Sequence, residues 1–411
     1  LAAILGGAGA LIMAARIGWN DTFVALAALM AIAVVGVFIA ADSPVRNRSI
    51  GVGEGAPPPR WRNFALTPVL AGWGWSFFAL FGFMAFALGA PELANARAFT
   101  MQTGPLIVLA SIVAPVVAAA VMLRVKDIVP AAAAFRPWPA QKAFDAVYGS
   151  VLAPMADLIS RLGYAIILVI VLVLSYRFAD LVWGAFAFPF YMGDQFGALH
   201  HTNDEVAIAS KVFGSFMTFW GIALGGLAIM KFGRLPCLFA GAVLAAATNL
   251  LFADLAQGAP ATDSFMSALH LYPAFKVLQP LADFLTLQVT VDERLSRLMV
   301  VIGAENLAVG FASAANVAYL SSIVNARFAA VQYALLASLT MLIGSLGRGA
   351  LGEMIEAQGY AAVFYLTAAL GLVAVAASGA EWFRQSRAPR RTVISPSPSS
   401  APAPGTGQGQ A

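Results

Sequence analysis

The chain has 411 residues, of which 60% are hydrophobic and only 11% are charged. Soluble domains carry about 25% charged residues, so this composition excludes an ordinary soluble protein and indicates an integral membrane protein. The net charge of +4 gives no reason to expect a nucleic-acid partner, and a single cysteine, Cys237, excludes an internal disulfide framework.

The apolar segments predict a polytopic topology. A bilayer core of about 30 Å needs about 20 apolar residues per helix. The sequence predicts ten spans, the first of them short, at 1–15, 21–41, 65–89, 105–123, 163–189, 206–230, 235–253, 298–324, 329–347 and 360–380. If the loop after the second span is cytoplasmic, 16 of the 24 Lys and Arg residues fall in inside loops and 6 in outside loops. This bias predicts a cytoplasmic C-terminus.

An internal repeat is the most informative feature of the sequence. Residues 1–34 align without a gap on residues 342–375, and the shared pattern G-[WY]-x3-F-x3-A-A-L places Gly18 opposite Gly359. A repeated helical hairpin is typical of transporters built from two similar bundles. Because the second copy follows four long helices and the first follows none, we expect an N-terminally truncated chain that lacks four to five helices.

The repeat divides the chain into six predicted parts within an all-α polytopic membrane protein. They are 1–41, the last two helices of an incomplete N-terminal bundle; 42–64, a cytoplasmic linker; 65–123, an extra transmembrane hairpin; 124–162, a cytoplasmic linker with an amphipathic helix; 163–383, a C-terminal six-helix bundle; and 384–411, a disordered cytoplasmic tail.

The segment 141–162 has apolar residues spaced by three and four, which predicts a helix with one apolar face. Its four charges favour a helix that lies on the inner leaflet rather than one that crosses the membrane. Packing against the cytoplasmic end of the bundle is the alternative, and the sequence leaves both open.

Several motifs of the second half resemble one family. "GAENLAVGFASAANVAYLSSIVNARFAAVQYALLAS" at 303–338 resembles the AmpG-type muropeptide permeases of the major facilitator superfamily. "YRFADLVWGAFAFPFYM" followed by "VAIASKVFG" is similar to the seventh and eighth core helices of that family. "GGLAIMKFGR" at 225–234 resembles the short superfamily loop in which glycines let two helices approach.

The resemblance implies a major-facilitator-type fold of two bundles and a function in peptidoglycan recycling. Such a permease imports disaccharide-peptides released from the cell wall across the bacterial inner membrane, usually by proton symport. The expected partners are a small glycopeptide, protons and the lipid bilayer, with a monomer expected and no cofactor. Two features depart from the family: the first helices are absent, and the outside segment 254–297 is longer than usual.

Two other functions remain open from the sequence. One is transport of another bulky anion, such as acetyl-CoA. The other is a membrane-embedded transferase that acts on lipid-linked sugars. An enzyme needs acid, base or metal ligands clustered at one membrane face. The charges of this chain are dispersed in depth across several spans, which favours a transporter and not an enzyme.

Two charges lie together inside the span 163–189. Arg177 and Asp180 are three residues apart and would share one face of a continuous helix. A charge at the bilayer centre costs at least ~2.5–3.5 kcal/mol by insertion scales, so both must face protein or water. We expect Arg177 to bind the carboxylates of a peptide cargo and Asp180 to be the second candidate for proton coupling. An inert buried ion pair is the structural alternative.

Lys211 and Glu305 are single charges in two further spans. Lys211, near the outer end of 206–230, is expected to bind anionic cargo, with snorkelling to the interface as the alternative. Glu305, in 298–324, is the first candidate for the proton carrier, because desolvation favours the neutral carboxyl. Capping its helix or pairing with Arg297 is the alternative.

Three amides complete the predicted substrate-binding set. Asn306 is adjacent to Glu305, and Asn316 lies three turns beyond Glu305 on the same helical face. Gln332 lies near the inner end of 329–347, where packing between helices is the more ordinary role. The sequence HHTNDE at 200–205 predicts a helix N-cap at Thr202 or Asn203 rather than a metal site, because its adjacent histidines point apart and no third ligand is evident.

Overall fold

The computed structural model describes residues 10–39, 59–125, 141–178, 184–285, 287–346 and 348–387, and all regular structure in these ranges is helical. Within them, six helices are long and apolar enough to cross a membrane, or up to seven if one bent pair forms a single span. The chain is therefore a polytopic, all-helical membrane protein. The count of ten spans and the two-bundle arrangement remain predictions.

The first helices form two hairpins. The N-terminal hairpin consists of α1 (Ala10–Ile17) and α2 (Trp19–Ile39). The second, which we call the extra hairpin, consists of α3 (Pro59–Gly89), α4 (Ala96–Val108), a π-helical turn (Leu109–Val113) and α5 (Ala114–Val125). The π-helical turn leaves the carbonyl oxygen of Ser111 available to the Trp73 indole, which donates a hydrogen bond to it at 3.0 Å.

The predicted amphipathic helix is helical but bent away from the helix that follows. It consists of α6 (Gln141–Val147), a π-helical turn (Tyr148–Leu152) and α7 (Ala153–Leu162). We call this element, residues 141–162, the connecting helix. It meets α8 (Ala165–Tyr176) at 113°. Gly163 adopts φ 54° at the bend, a conformation that glycine reaches without steric cost.

The remaining helices form the C-terminal part. They are α9 (Ala187–Met192), α10 (Asn203–Val206), a π-helical turn (Ala207–Phe213), α11 (Gly214–Phe232), α12 (Arg234–Ala256), α13 (Pro260–Ala268), α14 (Tyr272–Lys276), α15 (Gln279–Phe284), α16 (Glu293–Ile323), α17 (Ala329–Leu346) and α18 (Arg348–Arg387). The predicted spans in this part therefore lie within a few residues of observed helices, except 163–189.

The two aligned glycines of the repeat both have a positive φ. Gly18 has φ 81° and separates α1 from α2, and Gly359 has φ 80° and breaks α18 into two helical parts. At Gly359 the backbone N–H of Tyr360 donates to the carbonyl oxygen of Phe196 at 2.9 Å. Because left-handed φ is rare for residues with a side chain, both copies need glycine at this break.

Helices α11 and α16 approach each other through small residues. A Cβ atom added to Gly221 would overlap the carbonyl oxygen of Leu307 and lie 3.0 Å from the Leu307 Cα. One added to Gly310 would overlap the carbonyl oxygen of Thr218 and lie 2.9 Å from the Ile222 nitrogen. Close backbone contact of this kind is how membrane helices gain van der Waals attraction without a hydrophobic driving force.

The connecting helix buries its apolar face against protein. Leu152 on this helix and Leu66, Val69 and Ala119 on the extra hairpin are all completely buried in one cluster. The structure thus shows the apolar face packed against protein, and the placement of this helix at the inner leaflet stays a prediction. The packing partner is mainly the extra hairpin, which the sequence did not predict.

The segment 254–297, which the sequence predicts to lie outside, begins with a hydrogen-bonded turn after α12. Asp254 accepts hydrogen bonds from the backbone N–H groups of Ala261 and Thr262 at 2.9 and 2.8 Å and so holds the start of α13. Thr202 caps α10 in a capping box with Glu205, which confirms one of the two predicted cap positions.

Some predictions fall on residues outside the described ranges. They are those for Asp180, for residues 1–9 of the first span, for most of the linker 42–64, for part of the linker 124–162 and for residues 388–411 of the tail.

Candidate functional site

Lys211 is held in an unusual helical segment. It belongs to the π-helical turn Ala207–Phe213, and π-helical turns inside α-helices are frequent at functional sites. Its ammonium nitrogen lies 4.8 Å from the centroid of the Phe188 ring, a cation–π contact. The side chain is half-buried within a helix of membrane-spanning length, Asn203–Phe232. Lys211 therefore contacts protein through the Phe188 ring, and its role in binding cargo stays a prediction.

Glu305 lies in the same region. Its carboxylate is within electrostatic range of the Lys211 ammonium and of the Tyr191 hydroxyl. Tyr191 is 3% exposed and comes from α9, so three separate elements meet here. The structure thus brings together Lys211 and Glu305, which the sequence predicted separately. We call Lys211, Glu305, Tyr191 and Phe188 the central cluster.

Arg297, which the sequence offered as an alternative partner for Glu305, instead binds side chains of α13 and α14. It binds the carboxylate of Asp263 at 2.8 Å and the hydroxyl of Tyr272 at 3.1 Å. The Tyr272 hydroxyl also donates to Asp263. This hydrogen bond and the Arg297 charge lower the pKa of Asp263 against an opposing effect of desolvation.

Asn306 joins two helices. The Thr218 hydroxyl of α11 donates to the Asn306 side-chain oxygen at 2.9 Å, and the Asn306 amide donates to the carbonyl oxygen of Ile302 at 2.9 Å. Its donor and acceptor are thus both used in packing, although it is next to Glu305. Asn316 is half-buried on α16, three turns from Glu305 on the same face.

Gln332 is completely buried, far from the central cluster. Its side-chain oxygen accepts from Arg161 at 3.1 Å and from the Asn325 backbone N–H at 2.7 Å. Its amide donates to Asp157 and to the carbonyl oxygen of Pro154, each at 2.8 Å.

The same Arg161 donates to the carbonyl oxygen of Ile323. Ile323 is 18 residues beyond Glu305 along α16, which corresponds to about 27 Å of helix. The structure therefore shows Gln332 in its packing role and does not bring it to Lys211.

Arg177 does not lie in the middle of a continuous helix. Helix α8 ends at Tyr176, and Arg177 follows with φ −115° and ψ 16°. The predicted single helix over 163–189 is therefore wrong. With the helix interrupted here, spacing alone no longer places Arg177 and Asp180 on one face. Arg177 is half-buried, and Asp180 lies outside the described residues.

Sequence reasoning missed two residues of the central cluster. Phe188 and Tyr191 lie in the short run AFPFYM, which reads as ordinary span. The available signal was Pro189 within that run, since proline breaks or kinks a helix interior. A broken helix at membrane depth is tolerated where it is buried in protein or lines a cavity.

Glu381 is a buried carboxylate with a different environment. Arg384 binds it through two nitrogens, each at 2.7 Å, the Gln385 amide donates to it at 2.6 Å and the Tyr319 hydroxyl donates at 3.2 Å. A carboxylate with four donors is stabilised in its charged form. This arrangement fits a structural anchor at the end of α18 and not a site that exchanges a ligand.

Within the described ranges, no group of three or more His, Cys, Asp or Glu side chains is arranged to hold a metal ion. His201 instead contacts Glu205 at 3.1 Å, and Arg294 binds the same carboxylate at 2.8 Å.

The chain matches no protein-family model. It is similar to two proteins named "Putative transporter AmpG 4", from Rickettsia felis and Rickettsia conorii, with 25% identity over 226 residues, which is 55% of this chain and 45% of each relative. It is also 25% identical over 177 residues to "Putative transporter AmpG 3" of Rickettsia prowazekii, covering 43% of this chain and 33% of the relative. The matched region thus spans about half the length of these curated relatives or less. The resemblance to the AmpG-type permeases is confirmed, and the chain is a homologue of proteins named as AmpG transporters.

Proposed function

We propose that the protein is a secondary transporter that imports anionic cell-wall glycopeptides together with protons. The observation that carries the proposal is the central cluster, which sets Lys211 and Glu305 in electrostatic range of each other inside two membrane-spanning helices. Ionisable groups inside membrane-spanning helices are costly and mark substrate and proton pathways in membrane proteins. The transporter names of the relatives support the same class.

Lys211 supplies the positive charge for the cargo. Muropeptides carry peptide carboxylates, and a charge-assisted hydrogen bond from an ammonium is about twice as strong as a neutral one. The Phe188 ring holds the ammonium in place at 4.8 Å, so less side-chain freedom is lost when the cargo binds. Arg177, half-buried after the end of α8, is the second proposed anion contact.

Glu305 carries the proton. Protonation of Glu305 removes the negative charge that faces Lys211, and Lys211 is then available to a carboxylate of the cargo. The proton and the anion therefore favour each other's binding, as linkage between two sites requires. Asp180 is the second proposed carrier. We place the protein in the bacterial inner membrane because it resembles the AmpG-type permeases, and its C-terminus in the cytoplasm because of the Lys and Arg bias of the predicted loops.

The test separates accumulation from exchange. In proteoliposomes, Glu305→Gln keeps the shape and hydrogen bonding of the side chain but cannot take up a proton. We expect it to abolish uptake driven by an imposed pH gradient, while exchange of a muropeptide between two loaded compartments persists because exchange moves no net proton.

Glu356→Gln is the matched control, since Glu356 is an exposed carboxylate outside the cluster. If Glu305→Gln still accumulates muropeptide against its gradient, Glu305 is not the carrier. If exchange and accumulation fall together, Glu305 serves packing and not coupling. If the protein transports acetyl-CoA and not muropeptide, the proposed cargo is wrong, but the protein is still a transporter.

A further inference from the structure

The connecting helix is clamped at its first end to the extra hairpin. The Arg62 guanidinium, 6% exposed, binds Asp145 at 2.7 Å. Asn63 and Gln141 exchange two amide hydrogen bonds, at 2.8 and 3.2 Å. The Arg62 guanidinium also lies 5.7 Å from the centroid of the Tyr148 ring. These bonds are directional and part-buried, so they fix the register between the hairpin and the helix.

The other end of the same helix is clamped to the turn between α16 and α17. Gln332 makes its four hydrogen bonds there, two of them from its amide to Pro154 and Asp157 of the connecting helix. Asp157 also accepts from the Asn325 side chain at 3.1 Å, and Arg161 binds the carbonyl oxygen of Ile323 at 3.0 Å. Because Gln332 is completely buried, loss of any of these partners leaves a polar group unsatisfied.

A third contact joins the extra hairpin to the C-terminal part directly. The Met101 side chain of α4 lies against Gly349 near the start of α18, where an added Cβ would be 3.8 Å from three Met101 atoms. Leu335 of α17 packs against the apolar cluster that the hairpin forms with the connecting helix. The hairpin is thus attached at points on α17, on α18 and, through the connecting helix, on α16.

We infer that the extra hairpin and the C-terminal helices α8–α18 move as one rigid body, with the connecting helix as a strut between them. The hairpin contributes no charged residue to the central cluster, and it is attached by packing, by part-buried hydrogen bonds and by the Arg62–Asp145 ion pair. Its role is to enlarge one of the two bodies that change their relative position during transport. The role of the hairpin in transport rests on the proposed function, whereas its rigid attachment to the C-terminal helices does not.

The test measures distances between spin labels on the protein in lipid nanodiscs, in a Cys237→Ala background that removes the only native cysteine. One label pair uses the exposed positions Phe78 on the extra hairpin and Met230 on α11. A reference pair uses Met30 on the N-terminal hairpin with the same Met230. Each pair is measured at pH 5 and pH 8, with and without a muramyl peptide.

We expect the Phe78–Met230 distance to stay a single narrow peak in all four conditions. Gln332→Ala and, independently, Arg62→Met should broaden it, while Gln385→Ala leaves it unchanged. Gln385 is the matched control because it bonds to Arg234 and Glu381 and not to the connecting helix. A second peak or a shift of the Phe78–Met230 distance in the unsubstituted background overturns the inference.

The distance between the labels of the reference pair tests the transport proposal separately. A Met30–Met230 distance that changes with pH or muramyl peptide supports two moving bodies, and one that never changes counts against alternating access. Neither result alters what the Phe78–Met230 pair says about the hairpin.

Discussion

The contact between α11 and α16 predicts a large difference between glycines of the same helix. Gly221→Ala places a methyl group against the Leu307 carbonyl, with the Leu307 Cα only 3.0 Å away. Gly226→Ala, five residues later on α11, adds the same methyl group where nothing lies within 4 Å. The two substitutions are chemically identical, so any difference in stability comes from the helix contact.

The magnitude follows from the distances. Carbon atoms in contact normally lie about 3.5–4.0 Å apart. The Leu307 Cα at 3.0 Å must therefore move away by at least half an ångström. The gap that this movement opens elsewhere loses roughly a quarter to a half of the attraction of each contact there. Overpacking of this kind costs about 1–3 kcal/mol or more. At Gly226 only the helix propensity changes, which favours Ala by about 1 kcal/mol in soluble helices.

The assay is the free energy of unfolding in mixed detergent micelles. We expect Gly221→Ala to lower the stability and Gly310→Ala, on the facing helix, to do the same. Gly226→Ala should be neutral or slightly stabilising. If Gly221→Ala is as stable as Gly226→Ala, the two helices are not in backbone contact at this point, and the placement of Lys211 relative to Glu305 loses its support.

Three further outcomes are expected. Lys211→Met and Arg177→Met should each weaken binding of an intact muropeptide by about 1.5–3 kcal/mol, the value of a hydrogen bond to a charged group. Binding of a carboxyl-amidated muropeptide should not weaken. Equal losses for both ligands would argue against anion recognition. The pKa of Asp263 is lowered in the folded protein, so the ionised carboxylate stabilises the segment around α13. This stabilisation is complete above the unfolded pKa of about 3.9 and is lost as the pH falls through the lower folded pKa. The protection factors of residues 260–285, which correct for the intrinsic pH dependence of amide exchange, should therefore fall in acid, and Asp263→Asn should show low protection at every pH. Thr202→Ala should cost about 0.5–2 kcal/mol through loss of the helix cap, whereas Thr202→Ser should restore it.

The sequence predicted what is local. Observed helices lie at or near most predicted spans because length and hydrophobicity are properties of a short stretch of chain. Thr202 is one of two predicted cap positions, because a threonine or asparagine followed by acids in the first turn is a local signature, and the structure shows it as the cap. The repeat also placed Gly18 opposite Gly359, and both glycines have a positive φ, of 81° and 80°.

What the sequence could not predict depends on contacts between distant residues. The break after Tyr176 and the π-helical turn around Lys211 leave the apolar pattern almost unchanged, so periodicity does not report them. Gln332 was grouped with Lys211 because both are polar groups in spans, yet its partners are on the connecting helix 170 or so residues earlier. Lys211 and Glu305 lie near each other only because α16 packs on the helix that contains Lys211, and the sequence does not show that contact.

Uptake into proteoliposomes tests whether the protein moves an anionic glycopeptide with protons. The intact protein is reconstituted, an inward proton gradient is imposed, and the accumulation of an anhydro-disaccharide peptide is followed over time. We expect saturable accumulation above the external concentration, abolished by a protonophore and strongly reduced for the carboxyl-amidated peptide. Uptake that only equilibrates the two compartments, or that is indifferent to the gradient and to amidation, would contradict it.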